Sequence, residues 1–310
     1  MKKYVLKRIL MALVTLLVIL LVLFALLQFM PGSPFNDEKL TPAQQALLMS
    51  KYGLDQPVIV QFFNYVTNML QGDLGVSYNI SKSSPIAQLL ETRLPTSLRI
   101  GVQSVLLGTI IGLILGIVAA LKHNSIWDTL CTIVSVLGVS VPSYVFALFL
   151  AYTLGFKAGW FPQMYQMNSP FISSVLPSIA LSMFTIASIA RFTRSEMLEG
   201  DYLLLAASKG LSQRALITRH TLRNALVPIV TVLAPLIVSL MTGSLVVEKI
   251  FSIPGIGSLM VQAIQSNDHS VTIALAFVYS VMYVGIMLVV DILYGIIDPR
   301  IRLAKEDSHE

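Results

Sequence analysis

The sequence predicts an all-α polytopic membrane protein with six transmembrane helices and a small helical insertion after the first of them. Hydrophobic residues make up 55% of the 310 residues and charged residues only 12%, whereas an ordinary soluble domain is about 25% charged. The mean hydropathy is +0.77. A span needs about 20 mainly apolar residues. Six segments meet this requirement, and they run over 9–30, 99–121, 128–154, 173–193, 224–247 and 272–296.

The first segment is expected to be a retained helix rather than a signal peptide. Basic residues precede it, as they precede the apolar region of a signal peptide. The apolar run from Ile9 to Met30 is longer than the ~7–15 residues of a signal sequence, however. The residues that follow from Gln28 are bulky and offer no small-residue cleavage site.

The distribution of lysine and arginine predicts that both termini are cytoplasmic, because short cytoplasmic loops carry the excess of basic residues. The loops at 155–172 and 248–271 contain one lysine each, Lys157 and Lys249. The loop at 194–223, on the opposite side, is strongly basic. Its basic residues are Arg194, Lys209, Arg214, Arg219 and Arg223. The net charge of +5 is explained by these flanks, and we expect no binding of nucleic acid.

The insertion, residues 31–98, is predicted to be extracytoplasmic and folded. Thr41 is placed to cap a helix that has Gln44 at the capping-box position and ends at Gly53. A second helix is expected from Pro57 to Gly72, and a third from Ser84-Pro85. We expect this segment to pack as a cap over the bundle or as an interfacial layer, with ligand contact as the alternative.

The sequence contains none of the motifs that would indicate an enzyme. A phosphate-binding Walker loop, a dinucleotide turn, a His-Glu-x-x-His helix and a Gly-x-Ser-x-Gly elbow are all absent. The four histidines are scattered, and the sole cysteine, Cys131, lies within a predicted span. We therefore predict no catalytic residue, no metal site and no cofactor in this chain.

The loop at 194–223 contains a predicted short helix over 201–210. Asp201 is a suitable N-cap, and Gly210 is placed to end the helix. Its exposed apolar residues suit a groove on another protein, or an interfacial helix lying on lipid headgroups. These alternatives are evenly balanced on physical grounds. The predicted helix consists of Asp201, Tyr202, Leu203, Leu204, Leu205, Ala206, Ala207, Ser208, Lys209 and Gly210.

This loop resembles the coupling loop of ABC importer permeases, whose pattern is Glu-Ala-Ala-x-x-x-Gly. With Gly210 on the family glycine, only Ala206 matches the Glu-Ala-Ala positions. The wider run Ala-Ala-Ser-Lys-Gly-Leu-Ser, followed by Arg-His-Thr-Leu-Arg-Asn-Ala-Leu-Val-Pro, is similar to the peptide and nickel branch of the family.

Further motifs resemble the same branch in order along the chain. They are Phe-Met-Pro-Gly-Ser-Pro (29–34), Tyr-Gly-Leu-Asp-Gln-Pro (52–57), Gly-Asp-Leu-Gly-Val-Ser-Tyr (72–78), Pro-Ser-Tyr (142–144), Gly-Trp-Phe-Pro (159–162), Glu-Lys-Ile-Phe-Ser-Ile-Pro-Gly-Ile-Gly (248–257) and Asp-Pro-Arg-Ile-Arg (298–302). The chain is identified by this resemblance as an OppB/DppB-type permease subunit, because the long segment after the first span is typical of that subunit.

The resemblance implies a type I ABC importer permease in the bacterial cytoplasmic membrane that imports peptides, or nickel or another small solute as the alternative. Its partners would be an OppC/DppC-type permease, two OppD/OppF-type cytoplasmic ATPases that bind ATP and Mg, and an OppA-type extracytoplasmic peptide-binding protein. The implied organisation is a first helix (1–30), the insertion (31–98), a five-helix core (99–296) with coupling loop 194–223, and a cytoplasmic tail (297–310). A membrane enzyme or a channel without ATPases remains a rival, distinguished by whether ATPases co-purify.

Polar residues inside the spans are candidates to line a transport path, although hydroxyls commonly join helices instead. Asp291 lies in the sixth span and faces a watery cavity or, as we expect, pairs with a basic residue. Arg99 and Asp128 are expected to anchor span ends, and Glu248 and Lys249 to orient the following turn. The candidates for the path are Ser140, Ser143, Thr231, Ser239, Thr242 and Asp291.

Overall fold

The computed structural model describes residues 2–28, 41–199, 233, 235–241 and 244–297. In this part of the chain the structure is helical apart from loops and an isolated bridge between Val76 and Pro85. The helices are α1 (Lys2–Gln28), α2 (Pro42–Lys51), α3 (Val58–Leu70), α4 (Ile86–Leu121), α5 (Ile126–Ser140), α6 (Ser143–Leu150), α7 (Pro170–Ser173), α8 (Val175–Glu199), α9 (Leu245–Ile250), α10 (Ile256–Gln265) and α11 (His269–Ile297). A π-helical segment, Ala151–Lys157, continues from α6.

The contacts divide the chain into two compact units. The first comprises Met1–Ser97 with Pro254–Leu288, and the second comprises Leu98–Ile253 with Val289–Glu310. Each unit has its own apolar core. The core of the first unit is formed by residues of α4, α10 and α11, including Ile86, Ile256 and Leu275. The core of the second includes Leu176 and Phe251.

The all-α membrane fold is confirmed, and most of the predicted spans correspond to helices. Among the described residues, α1, α4, α8 and α11 are long and apolar enough to cross a bilayer. They contain most of the predicted first, second, fourth and sixth spans, although α4 begins at Ile86, well before the predicted start of the second span at residue 99. The predicted fifth span, 224–247, lies largely outside the described residues, and the total of six spans therefore remains a prediction.

The predicted third span, 128–154, is not a single straight helix. It consists of α5 and the run Ser143–Lys157, and the chain bends by 106° between them. Val141 is extended, with φ −94° and ψ 123°, between the two arms. Pro142 causes the break, because its ring excludes the preceding residue from the helical region and it has no N–H to donate.

The helices predicted in the insertion are present. Thr41 caps α2: its hydroxyl accepts from the Gln44 N–H at 3.4 Å, and its own N–H donates to Gln44 Oε1 at 2.9 Å. Gly53 follows the helix at φ +67°, a conformation that glycine adopts without strain. The third helix expected from Ser84-Pro85 is the first part of α4, which continues without interruption to Leu121.

Glycines on α4 allow it to lie directly against α8 in the second unit. They recur every fourth residue, at Gly108, Gly112 and Gly116, and form one stripe along the helix. A Cβ added at Gly116 would lie 2.7 Å from the carbonyl oxygen of Ala190. Small residues permit such close helix packing in membranes. Helices α4 and α8 therefore pack closely along this stripe.

Helix α8 is the most buried of the candidate spans. Of its most apolar stretch, 61% is buried, whereas only 6% of the corresponding stretch of α1 is buried. Its second neighbour is α5, where a Cβ added at Gly138 would lie 2.7 Å from the Met183 carbonyl oxygen. A movement of the end of α8 would therefore displace α4 and α5, because both helices contact it directly.

Candidate functional site

The predicted coupling helix, residues 201–210, lies outside the described residues, and its role stays a prediction. The structure does describe the root of the predicted coupling loop, because α8 extends through Glu199. This root lies beside the turn that joins α4 to α5. A cluster of polar side chains connects the two, and we call it the root cluster: His123, Asn124, Asp128 and Arg194.

The centre of the root cluster is the carboxylate of Asp128, which is 5% exposed. Arg194 donates to both of its oxygens, from Nε to Oδ1 at 2.6 Å and from Nη2 to Oδ2 at 3.0 Å. The backbone N–H of Asn124 donates to Oδ2 at 3.1 Å, and Nδ1 of His123 lies 3.0 Å from the same oxygen. Two parallel bonds from a guanidinium fix direction as well as distance.

The root cluster joins three elements that are far apart in the sequence. Asp128 is in the first turn of α5, His123 and Asn124 are in the turn after α4, and Arg194 is near the end of α8. Asp128 was expected to anchor a span end, and the structure identifies Arg194 as its partner. None of its four residues carries a hydroxyl or thiol nucleophile, and the arrangement can transmit a displacement of α8 to α5.

The candidate path residues are not brought together in the described part of the structure. Ser140 and Ser143 flank the bend at Pro142, one exposed and the other half-buried, and Ser239 is exposed in the helical stretch 235–241. Asp291 lies in α11, but its side chain is not among the described ones. Thr231 and Thr242 lie outside the described residues. Of the other predicted anchors, Arg99 donates to the Tyr165 hydroxyl at 3.4 Å, and Glu248 is buried at 4% exposure.

A second polar cluster, in the first unit, was missed by sequence reasoning. The Asp268 carboxylate is fully buried and accepts hydrogen bonds from the loop at 77–80. The Ser77 hydroxyl donates to Oδ2 at 2.6 Å, and backbone N–H groups reach the same oxygen from Tyr78 at 3.0 Å, Asn79 at 2.9 Å and Ile80 at 3.1 Å. We call this set the loop clasp.

The loop clasp fixes the motif Gly-Asp-Leu-Gly-Val-Ser-Tyr against the turn before α11. The Asn79 side chain reinforces it by donating to the Ser266 carbonyl at 2.7 Å. All the described groups that face the Asp268 carboxylate at bonding distance are donors, which suits an ionised acceptor. The available signal was the position of Asp268 immediately before a helix, where the Val271 N–H donates to Oδ1 at 3.4 Å.

Two family models together match almost all of the chain. One is described as the inner membrane component of binding-protein-dependent transport systems and matches residues 112–303. The chain belongs to this family. The second, described as the N-terminal part of the same kind of membrane component, matches residues 1–101, which include α1, the insertion and the loop clasp's donors.

Several relatives match this transport component from end to end. It is 42% identical over 306 residues to the dipeptide transport system permease protein DppB of Lactococcus lactis, covering 98% of this chain and 100% of the relative. It is 39% identical to DppB of Bacillus subtilis over 310 residues, covering 99% and 100%. It is 36% identical to the oligopeptide transport system permease protein OppB of Haemophilus influenzae over 306 residues, covering 97% and 100%.

The membership places this chain in a binding-protein-dependent system as its multi-pass membrane component. The family and the relatives' names describe transport subunits rather than enzymes. Such a system couples the membrane component to other parts of the machine, and the root cluster lies at the base of the loop where that coupling is predicted.

Proposed function

We propose that this chain is the permease subunit of an ATP-driven ABC importer that moves peptides across the cytoplasmic membrane into the cell. The observation that carries the proposal is the match of 42% identity to a dipeptide permease over 98% of the chain. The relatives at 36–42% identity are dipeptide and oligopeptide permeases, so the nickel alternative is not favoured.

The proposed machine is a heterodimer of this chain with an OppC/DppC-type permease. Two OppD/OppF-type ATPases in the cytoplasm bind ATP and Mg, and an OppA-type protein delivers the peptide from outside. Both termini are proposed to be cytoplasmic, which puts the loop at 194–223 on the side of the ATPases. This orientation is supported by the basic residues of that loop.

The helix at 201–210 is proposed to sit in a groove of one ATPase and to receive its movement on ATP binding. Movement would then pass into α8, whose Arg194 is bonded to Asp128 of α5. The nucleotide sites and the substrate path are thereby linked. Binding at either one shifts the same equilibrium between the inward-facing and outward-facing states of the permease.

Uptake of labelled peptides of graded length tests the proposal in cells that lack this subunit and receive it on a plasmid. We expect wild-type protein to restore uptake, and Gly210→Glu or Ala206→Glu to abolish it while the protein remains in the membrane. Ala206→Ser is the control and should keep most of the uptake, because it adds only one hydroxyl. Normal transport by both charged variants would exclude the coupling role, and no peptide uptake by the wild type would exclude the cargo.

A further inference from the structure

The first unit contains an open cavity of about 390 Å³ between α1, α2, α3 and the start of α11. Small-molecule sites typically have volumes of about 300–1,000 Å³, so this cavity is large enough for a small ligand. The loop clasp forms one of its walls through Tyr78, whose backbone N–H donates to the Asp268 carboxylate at 3.0 Å. The wall is therefore held in place by its backbone.

Two polar atoms of the lining are buried and have no hydrogen-bond partner among the described residues. They are the hydroxyl of Tyr65 and Nε2 of His269. A buried polar group without a partner costs about 1–3 kcal/mol, and proteins leave few such groups. Burial raises the pKa of Tyr65, so its phenol stays protonated and able to donate. Both atoms can therefore form a hydrogen bond with a ligand in the cavity.

The cavity also presents one positive and one negative side chain. Lys51 and Asp73 both line it, and neither forms an ion pair with another described residue. The Lys51 ammonium lies 5.4 Å from the centre of the Tyr52 ring, and one Asp73 oxygen accepts from the Gly75 N–H at 2.8 Å. The second oxygen of Asp73 has no described partner. A ligand with a carboxylate and an ammonium group matches this pair of charges.

Aromatic rings supply the remaining surface. Tyr52 and Tyr78 have ring centres 4.8 Å apart, and Phe24 and Tyr65 have ring centres 5.8 Å apart. Rings of this kind contact many different side chains through apolar and amphipathic surface. Such rings suit a class of ligands that share the same two charged ends but differ in their side chains.

From these observations we propose that the cavity binds a short zwitterionic peptide, with its carboxylate toward Lys51, its ammonium toward Asp73 and its amide groups at Tyr65 and His269. This inference rests on the proposed function, since it identifies a cargo site within the insertion-bearing unit. The bound peptide would satisfy the two buried atoms that have no partner within the described residues. None of the candidate path residues whose side chains the structure describes, Ser140, Ser143 and Ser239, lines the cavity.

Protection of an introduced cysteine tests the site in the full membrane complex in nanodiscs, without the separate binding protein. The native cysteine of this chain, Cys131, is buried, so Asn68→Cys places an accessible thiol in the lining. Thr67→Cys is the matched control, because Thr67 is exposed on the same helix and does not line the cavity. The readout is the rate of reaction of this chain with a membrane-impermeant maleimide.

L-Alanyl-L-alanine should slow the labelling of Asn68→Cys several-fold and leave Thr67→Cys unchanged. N-Acetyl-L-alanyl-L-alanine amide, which lacks both charges, should give no protection. Adding Tyr65→Phe should raise the half-protecting dipeptide concentration about three- to tenfold, as expected for the loss of one hydrogen bond. Unchanged control labelling in the Tyr65→Phe background shows that α3 is intact.

The proposal is overturned if the dipeptide does not protect Asn68→Cys, if the blocked dipeptide protects equally, or if Tyr65→Phe leaves the protection curve unmoved. These results are separable from failure of the proposed function. Cells that take up peptides normally while the cavity is unprotected retain the transport function and lose only the site. Cells that take up no peptide refute the cargo itself.

Discussion

Removal of the Asp268 carboxylate should loosen the loop at 77–80 without unfolding the helices. In Asp268→Ala, the Ser77 hydroxyl and the N–H groups of Tyr78, Asn79 and Ile80 lose the oxygen that they share. Each buried donor without a partner costs about 1–3 kcal/mol, although water entering the gap restores part of this. We expect the free energy of local opening to fall by about 2–4 kcal/mol in total.

Hydrogen exchange with mass spectrometry on the protein in nanodiscs measures this change directly. Local opening governs exchange of these amides, and every 1.4 kcal/mol is a factor of ten. The peptide containing residues 77–80 should therefore exchange about 30- to 700-fold faster in Asp268→Ala. Asp268→Asn keeps an acceptor oxygen but loses the charge, so its acceleration should be smaller.

Asp55→Ala serves as the control for the loop clasp, because Asp55 is an exposed aspartate of the same unit with no described hydrogen bond to its side chain. It should leave exchange at 77–80 unchanged. If Asp268→Ala exchanges there at the wild-type rate, the carboxylate does not hold the loop and the reasoning from buried donors is refuted.

Three other predictions concern the second unit and its helix packing. Arg194→Ala should remove most peptide uptake while the amount of protein in the membrane stays unchanged. Arg194→Lys should give intermediate uptake, because lysine has no guanidinium to donate two parallel bonds. Arg191→Ala, at an exposed position of the same helix, should transport normally. Gly116→Leu should lower the yield of folded protein on size-exclusion chromatography, since overpacking costs about 1–3 kcal/mol. Gly285→Leu should not lower it, because a Cβ there meets no atom of the described residues within 4 Å. Pro142→Ala should lengthen the distance between spin labels on the two arms of the 106° bend, and an unchanged distance would show that packing rather than proline sets the angle.

Local signals in the sequence predicted local structure well. The capping box of α2 involves residues three positions apart, and the stop at Gly53 requires only the backbone preference of glycine. The bend at Pro142 had a local signal too, but the continuous apolar run from 128 to 154 concealed it. Hydropathy measures whether a segment is apolar enough to lie in lipid, and it carries no information about the direction of the helix axis.

Long-range pairs could not be predicted in the same way. Asp128 and Arg194 are 66 positions apart, and Ser77 and Asp268 are 191 positions apart. Each residue had an adequate local interpretation, either as a span-end anchor or as a loop residue. Only the packing of α5 against α8, and of the insertion against the turn before α11, brings the partners together. The cavity lining likewise comes from four helices and the loop at 73–78.

The two buried carboxylates, those of Asp128 and Asp268, have the same structural role, and this role follows from lipid being the solvent. Lipid is as apolar as a leucine-rich helix, so burial of apolar surface does not by itself choose which helices pair in a membrane. Glycines such as Gly116 permit close approach, but contacts with hydrogen-bond geometry also fix direction. In a chain with only 12% charged residues, Asp128 and Asp268 each hold a junction where the chain turns between helices. Substitutions at these two positions should therefore disturb the arrangement of helices, and with it transport, before they disturb insertion into the membrane.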